Sequence, residues 1–146
     1  MTDGLDQALA SAGVSLLQAD ASLTVYRGGA PSPTPDPPYV VVRTTVDRPS
    51  DDPDNALNGR SGVWVARWFC YCVGGGPGAT PEDAEVAAIA VAQRVRTQLL
   101  DVRPVIAGLS CGPIRWEQST PPQIPDELTG VPIREAIEIF RLRATN

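Results

Sequence analysis

The chain has 146 residues, of which 42% are hydrophobic, enough for one domain with its own core. Its formal net charge of −5 argues against binding a phosphate backbone as its main task, because that task requires a cationic surface. No apolar run approaches the roughly 18–20 residues that cross a bilayer, so we expect no contact with a membrane.

Two residue types are missing, and their absence excludes the commonest catalytic groups. The sequence has no histidine, and all twelve of its basic residues are arginine. This excludes a Ser-His-Asp or Cys-His nucleophile, an imidazole metal ligand, a Schiff-base lysine and a Walker-type phosphate lysine. We therefore expect a protein that is not an enzyme, with no cofactor and no metal.

Residues 3–18 predict an amphipathic helix. Its apolar side chains recur at steps of three and four residues, namely Leu5, Leu9, Ala12 and Leu16. Gly13 weakens the middle of this helix, so we expect the helix to end or bend there. The first six residues hold two acids and no basic residue, unlike a secretory signal, and predict a protein made in the cytoplasm.

Two strands and a proline-rich connection follow this helix. Residues 23–26 predict a short strand, and residues 39–46, rich in β-branched side chains, predict a longer one. Five prolines among residues 31–38 predict extended connecting chain, because proline fixes φ and lacks the N–H donor. Residues 47–62 contain four aspartates and two prolines, which predicts a long polar loop.

Residues 63–73 predict the longest strand, and both of its faces are apolar. The odd positions are Val63, Val65, Arg67, Phe69, Tyr71 and Val73, and the even positions are Trp64, Ala66, Trp68, Cys70 and Cys72. A strand with one wet face should alternate apolar and polar side chains, so both faces of this one need cover. Either the helices lie on opposite faces of the sheet, or both cover one face. In the second case an aromatic pair, either the tryptophans or Phe69 with Tyr71, is left for a partner protein.

The three cysteines are interpreted as reduced, buried thiols. Cys70 and Cys72 project from one face of the same strand, about 6.6 Å apart along the chain, which is unfavourable for a disulfide. Cys111 could reach either of them, but one thiol would then be left over. A Cys-x-Cys pair with one further cysteine also lacks a fourth soft ligand for zinc.

Residues 80–100 predict the best-defined helix. Thr80 suits the N-cap, Pro81 suits the first helical position, and Asp83 lies where a capping box places its acid. The predicted buried stripe consists of Ala84, Ala87, Ala88, Val91, Val95 and Leu99.

The last third of the chain predicts β structure again. Residues 105–108 and 113–117 predict two short strands around a turn, and residues 133–144 predict a final strand. Prolines in residues 117–132 predict a second long loop. The order of elements predicts one α+β domain over residues 1–146: a mainly antiparallel or mixed sheet of four to six strands, with two principal helices packed on it.

A glycine turn after the longest strand matches a nucleotide-binding motif only loosely. Gly74, Gly76 and Ala79 fit the pattern G-x-G-x-x-A. Glu82 and Asp83, however, would lie where a pyrophosphate has to bind. We interpret the segment as a flexible turn.

The aspartates of the first long loop resemble part of a calcium-binding loop. Asp51, Asp52 and Asp54 have suitable spacing, but the glycine at the sixth position and the terminal glutamate are missing. No spacing nominates a pair of carboxylates for glycoside hydrolysis. A solvated acidic loop is the favoured interpretation.

Five short segments carry a resemblance to a known family. They are Val25-Tyr26-x-Gly28, Pro38-Tyr39-Val40-Val41-Val42, Pro81-Glu82-Asp83-Ala84-Glu85, Val95-Arg96-x-x-Leu99-Leu100 and Gly112-Pro113-Ile114. With the N-terminal helix, the proline-rich crossover and the closing β segment, this order resembles the tail terminator (tail-completion) proteins of long-tailed bacteriophages. The resemblance covers nearly the whole chain and is greatest to phages of high-GC actinobacterial hosts.

The resemblance implies a structural virion protein at the junction of head and tail. Such proteins form a ring, usually a hexamer, which caps the tail tube, ends its polymerisation and offers a surface to the head. The implied partners are further copies of the chain, the major tail (tube) protein and a head–tail connector or stopper protein. Genomic DNA would pass through the lumen without specific binding. The family has no catalytic residues, so none is assigned.

A hexameric ring requires heterologous contacts, in which one surface of a subunit meets a different surface of its neighbour. We predict that the two long loops and the longest strand supply the partner contacts. The predicted interface residues are Asp51, Asp52, Asp54, Arg60, Trp64, Trp68, Gln123 and Asp126.

Three alternatives remain from the sequence. Another neck component, such as a head–tail connector or stopper, shares the size and the ring architecture. A small α+β module could bind a ligand in its sheet cleft. A small enzyme could use carboxylates, but it would need a convergent cluster of polar side chains, and none is visible in the sequence.

Overall fold

The computed structural model describes residues 3–47, 63–124 and 132–145. In these ranges the chain has the predicted α+β fold, with two helices and a mixed sheet of six strands. The elements in chain order are α1 (Asp3–Gln18), β1 (Val25–Arg27), β2 (Tyr39–Asp47), β3 (Val63–Gly75), α2 (Pro81–Leu99), β4 (Ser110–Cys111), β5 (Arg115–Gln123) and β6 (Ile133–Thr145).

The sheet is built around the two longest strands, β3 and β6. Its strands follow the order β1-β2-β3-β6, and β4 and β5 both pair with the far side of β6. The short β1 runs parallel to β2, and every other pairing is antiparallel. The sheet therefore has two edges. One edge is formed by β2 and the short β1, and the other is formed by β5 and β4.

Both helices pack on the same face of this sheet. The even-numbered side chains of β3 point toward them and are fully buried, together with Phe140 and Leu142 of β6. The indole Nε1 of Trp68 donates a hydrogen bond of 3.3 Å to the Ala10 carbonyl of α1. The alternative with these two helices on opposite faces is therefore wrong, and within residues 3–47, 63–124 and 132–145 no helix lies on the other face of the sheet.

Helix α1 does not end at Gly13, one of the two outcomes expected there, because it continues to Gln18. Gly13 lies against the indole ring of Trp68, at a point where a Cβ atom would be 2.5 Å from Nε1. The helix tolerates a glycine there because the missing side chain lets α1 approach the sheet closely.

The start of α2 has the predicted capping box. The Asp83 N–H donates to Thr80 Oγ1 at 3.1 Å, and the Thr80 N–H donates to Asp83 Oδ2 at 3.2 Å. Proline occupies the first turn, where its missing N–H removes no helical hydrogen bond. Gly74 of β3 lies directly under Ala87 and Ala88 of α2, so close packing explains the first glycine of the G-x-G-x-x-A pattern.

Two predictions about the last third of the chain are wrong. Residues 105–108 do not form a strand; they contain a turn closed by an isolated bridge between Ile106 and Leu109. The first part of the predicted loop over residues 117–132 is strand, because β5 extends to Gln123; residues 125–131 lie outside the described residues. The pairing of β5 with β6 shifts register between Thr120 and Gln123. This irregularity accommodates two prolines, which an edge strand tolerates because it has one unpaired side.

Neither helix in the described ranges combines the length and the hydropathy that crossing a bilayer requires.

Candidate functional site: the helix-free face of the sheet

The side of the sheet opposite the helices is the candidate functional site, and we call it the helix-free face. It is formed by the odd-numbered side chains of β2, β3 and β6, which the antiparallel register brings side by side. Tyr26 of β1 and residues of β5 complete it. Most of these side chains are half-buried, whereas those under the helices are almost completely inaccessible.

One end of the helix-free face is aromatic. Its buried members are Tyr39, Val41, Val73 and Ile133, with Tyr26 and Tyr71 packed against them. The rings of Tyr26 and Tyr39 meet edge to face with their centroids 5.7 Å apart. All three tyrosines of the chain lie in this cluster. Burial raises the pKa of Tyr39, and the nearby charge of Glu135 acts in the same direction.

The middle of the face is apolar with a cationic margin. Phe69 of β3 is directly opposite Ile139 of β6, and Tyr71 is opposite Ile137. The guanidinium of Arg43 lies over the Tyr71 ring, with its Cζ 5.4 Å from the ring centroid. Such a contact holds the arginine flat against the aromatic surface.

The other end of the helix-free face is rich in arginine. A row across four strands consists of Thr45, Arg67, Arg141 and Arg115 in register. Arg67 forms ion pairs with Asp47 at 3.2 Å and with Glu117 at 3.1 Å. These two acids offset part of the like-charge repulsion that cross-strand arginines otherwise produce.

The charge of the helix-free face differs in sign from that of the whole chain. Five of the twelve arginines lie on it, namely Arg43, Arg67, Arg115, Arg141 and Arg143, against the acids Asp47, Glu117 and Glu135. The face thus has an excess of two positive charges on a chain of formal net charge −5. Aromatic residues and arginine are the types enriched where proteins contact one another.

A buried acid on the opposite side of the sheet fixes β5 in place. Glu138 is 2% exposed and accepts hydrogen bonds from Arg96 at 2.6 Å, Trp116 Nε1 at 2.9 Å and Ser119 Oγ at 3.0 Å. The Arg96 guanidinium also lies over the Trp116 ring, 4.9 Å from its centroid. These contacts join α2, β5 and β6, so the edge strand has a defined position.

The cysteines are free and buried, as predicted. Burial raises the pKa of Cys70 to about 12, with a smaller contribution from Glu138. Burial likewise raises the pKa of Cys72 well above its usual range, and it raises that of Cys111. Thiols that stay protonated are poor nucleophiles and poor metal ligands. The described residues contain no group of three or more His, Cys, Asp or Glu side chains arranged to hold a metal ion.

The structure separates the predicted interface residues into three groups. Trp64 and Trp68 are wrong as interface residues, because both are 0% exposed and lie in the core under the helices. Gln123 lies exposed at the end of β5. The remaining five, Asp51, Asp52, Asp54, Arg60 and Asp126, lie outside the described residues.

The sequence predictions missed the tyrosines and arginines of the helix-free face. Arg67 was the signal that could have identified it, because it is the only charged residue among the eleven positions of the predicted strand over 63–73. A charged side chain at an odd position indicates that the odd face reaches solvent, and the even face with both tryptophans is then the core.

Comparison with known proteins adds a likeness to solved structures. No protein-family profile and no curated protein sequence matches the chain. Among solved structures, the chain is similar to a protein chain in the structure described as the virion of a native gene transfer agent particle. The TM-score is 0.66 and the sequence identity is 19%, and the match covers 94% of this chain and 95% of the other. At this level of identity the likeness shows a shared fold.

Proposed function

We propose that this chain is a structural protein of a phage-like virion, where it forms a ring, a hexamer in the tail terminator family, at the end of the tail tube. The observation that carries the proposal is the shared fold, which extends over nearly the full length of both chains, one of them a component of a virion particle. The order of sequence segments independently resembles tail terminators. The proposed location is the junction between head and tail.

The helix-free face supports a role in assembly. A half-buried surface of tyrosine, phenylalanine, isoleucine and arginine has the composition of an interface centre. The proposed role is structural and not catalytic, and the proposed partners are further copies of the chain, the tube protein and a connector or stopper protein. DNA would pass through the ring without sequence-specific contacts.

The ring is tested by native mass spectrometry of the purified protein over a range of concentrations, with and without assembled tail tubes. We expect closed oligomers, and tubes grown in the presence of the protein should be short and capped at one end. A protein that stays monomeric at every concentration and leaves tube growth unchanged would contradict the proposal. A protein that binds filled heads without ending tube growth would instead be a connector or stopper, the second candidate.

The contribution of the helix-free face is tested with a charge in its apolar centre. Phe69→Glu should reduce assembly, because a carboxylate would replace an apolar contact between subunits. The matched control is Val86→Glu, since Val86 is an apolar side chain exposed on the outer surface of α2. Equal assembly of the two folded variants would show that the helix-free face is not used.

A further inference from the structure

We infer that two copies of this chain join edge to edge, with the outer edge of β2 in one copy pairing antiparallel with β5 of the next. The inference rests on the proposed ring and specifies one of its contacts. It places Asp47 opposite Arg115 and Val46 opposite Trp116 across the junction.

The first edge is the part of β2 that β1 leaves uncovered. The Val40 N–H donates to the Thr24 carbonyl, and the Val42 carbonyl accepts from the Gly28 N–H, both at 2.9 Å. Even positions of β2 therefore direct their backbone groups outward, and Thr44 and Val46 continue this series beyond the end of β1. Within the described ranges no segment pairs with them.

This edge carries charged side chains at Arg43 and Asp47, but it has neither a proline nor a β-bulge, two other features by which proteins protect a free strand. From residue 43 to residue 47 there is no proline, no lysine and no register shift against β3. Beside it lies a groove of about 390 Å³ between β2 and α1, lined by Gln7, Ala10, Gly28, Thr44 and Val46 among others. An added strand would occupy this groove in line with β1.

The second edge is β5 on the opposite side of the sheet. The backbone N–H and C=O groups of successive residues point to opposite sides of a strand. Because even-numbered residues of β2 point these groups away from β3, the pairing registers determine which residues of β3, β6 and β5 point theirs toward each neighbour. By this alternation the backbone N–H and C=O of Arg115 point toward β6, and those of Trp116 point away from β6, toward the outer edge of the sheet. The backbone hydrogen bonds of Ile114 have the direction that this alternation predicts. The Ile114 N–H donates to the Val102 carbonyl at 2.8 Å, and the Ile114 carbonyl accepts from the Asp101 N–H at 2.9 Å. Both bonds point away from β6.

Prolines restrict which part of this edge can pair. Pro121 and Pro122 have no N–H to donate, and the register shift between Trp116 and Gln118 turns the backbone groups of Gln118 back toward β6. Because Ile114 already bonds Asp101 and Val102, backbone pairing across the junction is confined to the start of β5, at Trp116. There Trp116 is an apolar side chain that is 47% exposed.

The proposed register agrees in side-chain face, charge and hydrophobicity. Asp47 and Arg115 both lie on the helix-free face and have opposite charge, while Val46 and Trp116 both lie on the helix side. Opposite charges and aromatic–β-branched pairs are the cross-strand combinations that stabilise a sheet. Val46 and Trp116 also both direct their backbone groups outward, so they can exchange two hydrogen bonds.

The strand directions suit a closed ring. The strands β2, β3, β6 and β5 alternate in direction, so β5 runs opposite to β2 within one copy. In a ring whose axis follows the strands, every copy keeps the same strand sense. The β2 edge of one copy then meets the β5 edge of its neighbour antiparallel, and the two contacting surfaces differ, as a heterologous ring requires.

A disulfide cross-link tests this junction. Asp47→Cys and Arg115→Cys would form a disulfide only between copies, because within one chain three interstrand spacings, about 14 Å, separate the two positions, beyond the roughly 7 Å limit for Cα atoms. The three native cysteines are buried and do not compete. Asp47 and Arg115 are themselves exposed, and their ion-pair partners are the half-buried Arg67 and the exposed Asp101, so we expect little loss of stability.

We expect an oxidised mixture of the two single variants to give covalent dimers, and each variant alone to give none. The double variant should give a ladder that ends at the size of the ring. Thr45→Cys with Arg115→Cys lies on the same face but two residues out of register, and it should give clearly less product. More product from this pair than from Asp47→Cys with Arg115→Cys would overturn the register.

Val46→Pro tests the hydrogen bonds, because it removes an N–H that points away from β3. It should keep the circular dichroism spectrum of the folded protein but weaken assembly about tenfold relative to Val46→Ala, which keeps the N–H. Equal assembly of these two variants, together with rings that show no cross-link, would overturn edge pairing and leave the ring intact. Cross-linked ladders without a closed ring would support edge pairing and contradict the ring, whereas a strict monomer would overturn both.

Discussion

Trp68 shows how one side chain sets the distance between a helix and the sheet. Its indole ring lies against Gly13, and it also donates a hydrogen bond to the Ala10 carbonyl one turn earlier in α1. A residue that lowers helix propensity by about 1 kcal/mol relative to alanine therefore permits a closer contact with the core.

Gly13→Ala should destabilise the protein although alanine is the better helix former. The new Cβ would be 2.5 Å from Trp68 Nε1, and overpacking of this kind costs about 1–3 kcal/mol. The control is Gly4→Ala on the same helix, where nothing lies within 4 Å of the added atom. Urea denaturation should give a lower free energy of unfolding for Gly13→Ala than for wild type and Gly4→Ala. Equal stability of the two variants would contradict the close contact.

The buried thiols lead to a prediction about reactivity and pH. At pH 8 a thiol reagent should modify none of the three cysteines in the folded protein and all three in denaturant. The pKa of Cys70 rises from 9.0 to about 12 on folding, so folding favours its protonated form. The contribution of this group to stability is complete below pH 9 and is lost as the pH rises toward 12. Rapid labelling of the native protein would show that the cysteines are accessible.

At the scale of elements, α2 is defined by its own end groups and by its contact with the sheet. Its capping box satisfies two backbone N–H donors at the N-terminus, those of Thr80 and Asp83. The Glu138 network then connects its last turns to β5, because Arg96 bonds the buried carboxylate and covers the Trp116 ring. The helix thus positions the edge strand that the proposed junction uses.

Thr80→Ala should lower the free energy of unfolding by about 1 kcal/mol, because it leaves the Asp83 N–H without its acceptor. Thr97→Ala is the matched control on the same helix: the side chain is exposed and bonds only the Gln93 carbonyl of the previous turn. Thermal and chemical denaturation of the two variants compare them directly. A loss at Thr97 as large as that at Thr80 would argue against a specific capping role.

At the scale of the whole molecule, the placement of both helices on one side gives the chain two unlike surfaces. The helix side buries the tryptophans, whereas the helix-free face gathers the tyrosines and five arginines on a chain of net charge −5. The sheet also ends in two different edges, the open part of β2 and β5. A molecule with unlike surfaces and unlike edges can make the heterologous contacts from which rings are built.

Local patterns in the sequence were enough to predict most of the described elements and the fold class. Local signals were sufficient for α2, because the cap, the proline and the apolar stripe all lie within one segment, and for β2 and β3, because β-branched and aromatic residues dominate them. Local signals predicted the start of β5, within the strand expected over residues 113–117, but failed for the rest of β5, where prolines predicted a loop. Its strand conformation depends on pairing with β6, a contact between segments distant in sequence.

Tertiary packing was needed to identify which face of the sheet lies under the two described helices. A period of two separates the residues of a strand into two faces, but it does not state which face a helix will cover. For β3 both faces are apolar, so Trp64 and Trp68 were assigned to an interface when they belong to the core. The positions of α1 and α2, set by packing between distant segments, place both helices on the side of the tryptophans; in the described part of the chain no helix covers the tyrosines and arginines.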